Sequence, residues 1–198
     1  TDIKGITHPK LMVKNESHDT PSGHFSIYHT NIRSLNKNYD TLVEHIGMYD
    51  NPPDVIVLTD TYLTDDTKDN MYPIDGYMGK HADRTTAYIK KNLNATIEPG
   101  PKVSQTATIK INIYTDKHRE AVTHVIVGMY RNPNYDSLFP HSLKQMMEDT
   151  QRQHPAAHTT VIGDINIDLL KLRKEMYNTI TETGLYTTIT TPTRYEKK

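Results

Sequence analysis

The sequence contains no cysteine. A disulfide, a thiolate zinc site and a thiol nucleophile are therefore excluded, while the compartment stays open. No apolar run approaches membrane-spanning length. The chain begins at Thr1 with neither a methionine nor a signal-peptide pattern, which reads as a processed product or an excised domain. An excess of positive charge is also lacking: the net charge is −1 and the pI about 6.8. Proteins that live on the DNA backbone are usually more basic, because neutralised phosphates release counterions and so supply non-specific affinity. Charge is nevertheless local, in Lys90-Lys91 and in Lys171 to Lys174, and each cluster also reads as a solvated face. Apolar residues make up only 35% and mean hydropathy is −0.69, so the core is lean and the surface polar. A length of 198 residues suits one domain.

What is present is more telling. Eleven histidines make the charge sensitive to mild acid. His154 and His158 sit four apart, but Pro155 between them argues against a zinc pair. Asn15-Glu16-Ser17 and Asn94-Ala95-Thr96 are sequons, which matter only in a secreted chain.

Residues 1–23 are polar and rich in turn formers, and read as an N-terminal arm. From residue 24 onward strands and helices alternate. Strands are predicted at Phe25 to His29, Val55 to Leu58, Ala87 to Ile89, Ile109 to Tyr114, Val122 to Tyr130 and Thr159 to Ile162, with a final short one at Thr187 to Thr190. Helices are predicted at Tyr39 to Met48, stopped by Asn51-Pro52-Pro53, and at Ser137 to Gln153 with Leu138, Leu143, Met146 and Met147 inward. A third runs from Leu169 to Thr183 and is closed by Gly184. Thr64 to Tyr77 reads as an acidic loop. The alternation implies an α/β fold.

Gly163-Asp164-Ile165-Asn166-Ile167-Asp168 is the most informative stretch. Val161-Ile162 ahead of it closes a buried strand, and Gly163 lets the backbone turn. Asp164 and Asn166, two apart on extended chain, point to the same side. A carboxylate and a carboxamide so placed suit a hard divalent cation and a phosphate oxygen.

Four further segments occur around it in a fixed order. His29-Thr30-Asn31-Ile32-Arg33-Ser34-Leu35 resembles the opening strand, with "N-I-R-S-L", of the endonuclease/exonuclease/phosphatase family, and in particular of the apurinic-endonuclease-like domain of non-LTR (LINE-type) retrotransposons. Asp54 to Leu63 resembles the second strand, Gly128 to Asn134 the "Y-R-P-P" strand end, Gly163 to Asp168 the "G-D-F-N" stretch, and Thr190 to Arg194 the late "P-T-R" turn. The resemblance runs from about residue 24 to the end.

The resemblance implies two packed β-sheets flanked by helices, a four-layer sandwich spanning 24–198. It implies a Mg²⁺-dependent DNA endonuclease that nicks one strand, working in the nucleus. Asp60 would be the main metal ligand, Asn31 would help bind metal or phosphate, Tyr130 would hydrogen-bond the phosphate, Asp164 would orient water, and Asn166 would hold a phosphate oxygen. Arg33 and Arg131 would contact the nucleic-acid backbone. Local chemistry offers other roles: Asn31 suits a helix N-cap, Asp60 a turn before Thr61, and Tyr130 an ordinary strand end.

There are departures. Asp60 stands where the family has a glutamate, one methylene longer. The Gly-rich "R-G-G-G-V-A-I-Y" strand reads Asp83-Arg84-Thr85-Thr86-Ala87-Tyr88-Ile89 here. The Ser-Asp-His motif that carries the family's histidine is not found, so the last strands are expected to be missing and activity impaired. Open sheet edges would then favour self-association or a partner chain. Three functions compete: an impaired retrotransposon-type endonuclease acting on DNA, a catalytically dead copy serving as a binding or structural module, and a phosphatase or small-molecule phosphodiesterase of the same superfamily, against which "N-I-R-S-L" and "P-T-R" favour the retrotransposon branch.

Overall fold

The computed structural model describes residues 26–64, 66–114, 121–134, 137–168, 174–186 and 188. The expected N-terminal arm, the last short strand and the "P-T-R" turn lie outside the described residues.

Two four-stranded sheets pack face to face between helices. In the first sheet, β1 (Ile27–Asn31) runs parallel to β2 (Val55–Thr59), with α1 (Leu35–Gly47) as the crossover. Next come β4 (Thr85–Lys90) and β3 (Tyr77–Ala82), both antiparallel to their neighbours. In the second sheet, β7 (Val122–Arg131) runs parallel to β8 (His158–Asp164) across α2 (Phe139–Gln153). Here β6 (Thr106–Tyr114) and β5 (Ala95–Pro99) complete the sheet in antiparallel pairing. Each sheet thus has one parallel pair followed by two antiparallel ones. A third helix, α3 (Lys174–Glu182), ends at Gly184, whose φ of 72° closes it as the sequence suggests.

Alternation along the strands builds the layers. In β2, Val55 and Val57 face the other sheet, while Ile56 and Leu58 face α1 and meet Leu35, Leu42 and Ile46. In β7, Ile126 joins the central layer, while Val125, Val127 and Met129 lie under Phe139, Leu143, Met146 and Met147 of α2. The result is the four-layer α/β/β/α sandwich. Among the described residues no helix is long and apolar enough to cross a membrane.

The structure corrects several expectations. Two strands, Tyr77–Ala82 and Ala95–Pro99, were not predicted. Both are short edge strands, only partly buried, in which Gly79, Lys80, Glu98 and Pro99 dilute the apolar pattern. Helix α1 starts four residues before the expected Tyr39, because Leu35 is fully buried against the sheet. In α2 it is Phe139 that points inward, whereas Leu138 is 61% exposed.

Gly128 lies where the two sheets approach closely. A Cβ there would lie 2.7 Å from a Val57 methyl of the opposite sheet and 2.8 Å from an Ile109 methyl. Gly128→Val should therefore destabilise by about 1–3 kcal/mol through overpacking. Urea denaturation checks this, and an unchanged midpoint would show that the sheets part freely.

Candidate functional site

The carboxyl ends of the two parallel pairs meet at one rim of the sandwich, where open α/β sheets commonly place ligands. Asn31 ends β1, Asp60 follows β2, Tyr130 is next to last in β7, and Asp164 ends β8. They line an open cleft of about 650 Å³ together with Asn166 and Arg33. Six of the seven residues singled out from the sequence are therefore brought together. Lys37, Ser34 and Tyr62 also line this cleft and were not anticipated.

The floor is a hydrogen-bonded bridge between the sheets. The Asn31 amide donates to Asp164 Oδ2 at 2.6 Å, and Asn31 Oδ1 accepts the Arg33 backbone N–H at 3.2 Å. Asp164 Oδ1 accepts the Asn166 backbone N–H at 3.2 Å, and the Asn166 amide donates to the Arg131 carbonyl at 2.7 Å. Asp164 and Asn166 do converge, but by a different route from the extended pattern expected. Asn166 has a φ of 49°, so the chain folds back and the Asp164 side chain caps the turn. Gly163 likewise does not turn the chain: it lies inside β8, where the backbone of Met129 presses on it.

Left-handed backbone concentrates around the cleft. Arg33, Ser34, Asp60, Tyr62, Asp83 and Asn166 all have positive φ, between 49° and 88°. Such non-glycine conformations cost on the order of 1–3 kcal/mol each and persist only where surrounding structure holds them. Backbone bonds do the holding here: Ser34 N–H to the Asp60 carbonyl (2.9 Å), Leu35 N–H to that of Thr61 (2.9 Å), and Thr61 N–H to that of Arg84 (3.2 Å). Ser34, with no side-chain hydrogen bond, is the N-cap of α1, so Asn31 is free of the capping role.

Arg84, read from the sequence only as part of a glycine-poor strand, lies beside the cleft lining and contacts three of its residues, Asp60, Tyr62 and Tyr130. Its guanidinium donates to Asp60 Oδ1 at 2.9 Å and to the Tyr130 hydroxyl at 3.4 Å. It also lies 4.7 Å from the centre of the Tyr62 ring and 5.3 Å from that of Tyr130. Burial opposes its charge, but Tyr130 and Asp60 outweigh that and raise its pKa above the ordinary value. Burial, with Asp60 adding, raises the Tyr130 hydroxyl, so the phenol stays protonated and able to donate.

Arg131 is the residue that does not reach the cleft. Only 4% of it is exposed, and it donates to the carbonyls of Ile165 (3.4 Å) and Asn134 (3.0 Å). Its guanidinium sits 4.9 Å from the centre of the Phe139 ring. It braces the strand end instead of offering a surface contact. Strand alternation explains this: Arg131 shares the α2-facing side with Met129, opposite Tyr130.

The donor set does not fit the Mg²⁺ ion that the resemblance implies. Mg²⁺ demands near-octahedral oxygen ligation. Asp60 is already neutralised by Arg84, and Asp164 and Asn31 are engaged with each other. Among the described residues no group of three histidines, cysteines or carboxylates could hold a metal. His158 stacks on His124, with ring centres 5.4 Å apart.

His29 lies just behind this floor and shares a hydrogen bond of 3.1 Å with the Thr59 hydroxyl. Burial lowers its pKa to about 4, with Asp164 acting in the opposite direction.

No family profile matches the chain, and no curated protein sequence matches it. Solved structures do. The catalytic domain of human Nocturnin with bound sulfate superposes with a TM-score of 0.56 at 13% identity, over 80% of this chain and 70% of that one. A Neisseria 3′ phosphatase, NExo, bound to product DNA hairpin gives 0.53 at 18% identity, over 73% and 58%. An endonuclease/exonuclease/phosphatase family protein from Bacteroides thetaiotaomicron gives 0.53 at 10% identity, over 80% and 68%. The chain thus spans less than two thirds of the Neisseria phosphatase. At these identities the likeness is one of fold, and the two-sheet sandwich is the endonuclease/exonuclease/phosphatase fold.

Proposed function

We propose that this chain is an endonuclease domain of the LINE retrotransposon type that grips a DNA phosphodiester in the cleft and whose Mg²⁺-dependent hydrolysis is impaired. The observation that carries this reading is the convergence of Asn31, Tyr130, Asp164 and Asn166 on one cleft from three separate segments. Tyr130 donates to a phosphate oxygen, and Arg33 and Lys37 neutralise neighbouring phosphates. Asp164, steadied by Asn31, is placed to orient a water molecule. The fold neighbours lend support, one being a phosphatase bound to a DNA hairpin and another holding sulfate, an anion of phosphate-like shape. Impairment is supported by the Asp60–Arg84 pair, which occupies the carboxylate that a cation would need.

Supercoiled-plasmid nicking, run beside duplex retention with and without Mg²⁺, tests both halves. The expected result is retention of DNA with no Mg²⁺-stimulated nicking, and loss of retention in an Asp164→Ala/Asn166→Ala double variant. Brisk Mg²⁺-dependent nicking abolished by the double variant would overturn the impairment. Absence of DNA retention by folded protein would overturn the phosphodiester reading itself.

A further inference from the structure

We infer that Arg84 takes the place of a divalent cation, making the cleft a metal-independent clamp for a DNA phosphodiester. The inference rests on the phosphodiester reading of the cleft and adds the source of its positive charge.

Counting charges brings Arg84 forward. The lining supplies Arg33 and Lys37 against Asp60 and Asp164, two positive charges against two negative ones. A neutral rim has no net pull on a phosphate. Arg84 stands outside that lining but pairs with Asp60 in it, and counting it leaves an excess of one positive charge. Its position suits the task. The guanidinium is fixed from three directions, by Asp60, by Tyr62 and by Tyr130, so little side-chain freedom is left to lose on binding. The side chain is still 39% exposed, so a phosphate oxygen can approach its free N–H groups. A guanidinium has five donors in a planar fork, and Asp60 and Tyr130 are both met by a single one of its nitrogens.

The same contacts explain why the metal is excluded. A cation entering beside Asp60 would have to displace a charge-assisted bond of 2.9 Å and then sit against a guanidinium. Arg84 reaches Asp60 from the β3–β4 hairpin, whose left-handed Asp83 (φ 49°) makes the turn just before it. The position that supplies the charge is thus built into the fold.

Fluorescence anisotropy of a short labelled DNA duplex tests the inference, in excess EDTA and in Mg²⁺. Wild-type protein should bind equally well in both buffers. Arg84→Ala should weaken binding by about tenfold or more, since a hydrogen-bonded charge is lost at a phosphate. It should also lower the slope of log K against log salt by about one. Asp60→Asn frees the guanidinium from its partner and should tighten binding in EDTA. That variant keeps the residue's shape, so it reads the effect even if Arg84→Ala misfolds. Water-proton relaxation of Mn²⁺ gives an independent reading, in which the wild-type protein should show no bound ion that Asp60→Asn removes. Binding that requires Mg²⁺, or that ignores both substitutions, would overturn the role of Arg84 and leave the phosphodiester reading intact. No binding in either buffer would overturn both.

Discussion

Replacing Gly163 by alanine is expected to cost about 3–5 kcal/mol, a large part of what a domain of this size has to lose. The added Cβ would lie 1.8 Å from the Met129 carbonyl oxygen, 2.7 Å from its carbonyl carbon and 2.9 Å from its nitrogen. All three are backbone atoms, so no rotamer change relieves the clash and β8 must lift away from β7. Register makes the damage specific. Gly163 pairs with Met129 and the next residue, Asp164, pairs with Tyr130. Lifting the strand here separates the two residues that the cleft most needs together. Gly47→Ala serves as the control: it lies at the end of α1 with nothing within 4 Å of the new methyl, so it should be neutral or gain up to about 1 kcal/mol. Urea denaturation of the two variants, with circular dichroism to confirm folding, decides the matter. A Gly163→Ala midpoint equal to wild type would show that the strand pair yields without cost.

The second large effect is acid lability centred on His29. The unfolded chain takes up this proton near pH 6.5, whereas the folded chain does so only near 4. Between those values the unfolded state binds more protons. Stability is therefore complete above about pH 6.5 and falls as the pH drops towards 4. The full shift corresponds to about 3 kcal/mol, an upper figure because the residue keeps some contact with solvent. His81, buried and bonded to the Thr86 hydroxyl at 3.0 Å, is lowered by burial as well and acts in the same direction. Urea midpoints at neutral and mildly acidic pH should show a marked loss in the wild type. His29→Gln keeps a hydrogen-bonding side chain beside Thr59 and cannot take up the proton. It should flatten that slope, leaving the smaller share due to His81. Parallel decline of the two proteins would remove His29 from the account.

The sequence made the central strands plain because burial on both faces writes a continuous apolar run, as in Val55 to Leu58. Motif order carried the cleft residues on β1, β7 and β8. Two kinds of feature escaped. Edge strands β3 and β5 bury too little to leave a pattern. Arg84 escaped for a deeper reason: its meaning depends on Asp60, 24 residues away and on a different strand connection. Nothing local to Asp83-Arg84 specifies that partner. Arg131 could have been placed correctly, since simple alternation from Val125 through Val127 and Met129 assigns it to the α2 side.

The Asn31–Asp164 bond also has a consequence in time. It joins residues 133 positions apart and ties the last residue of the first strand to the last residue of the eighth. On a ribosome that adds about 5–20 residues each second, Asn31 waits for many seconds before its partner exists. The first strand–helix–strand unit can form earlier on its own contacts, but the floor of the cleft cannot. Any fragment that stops ahead of residue 164 therefore lacks this floor, however well its first sheet has folded. A cleft with this floor therefore exists only once residue 164 has been made.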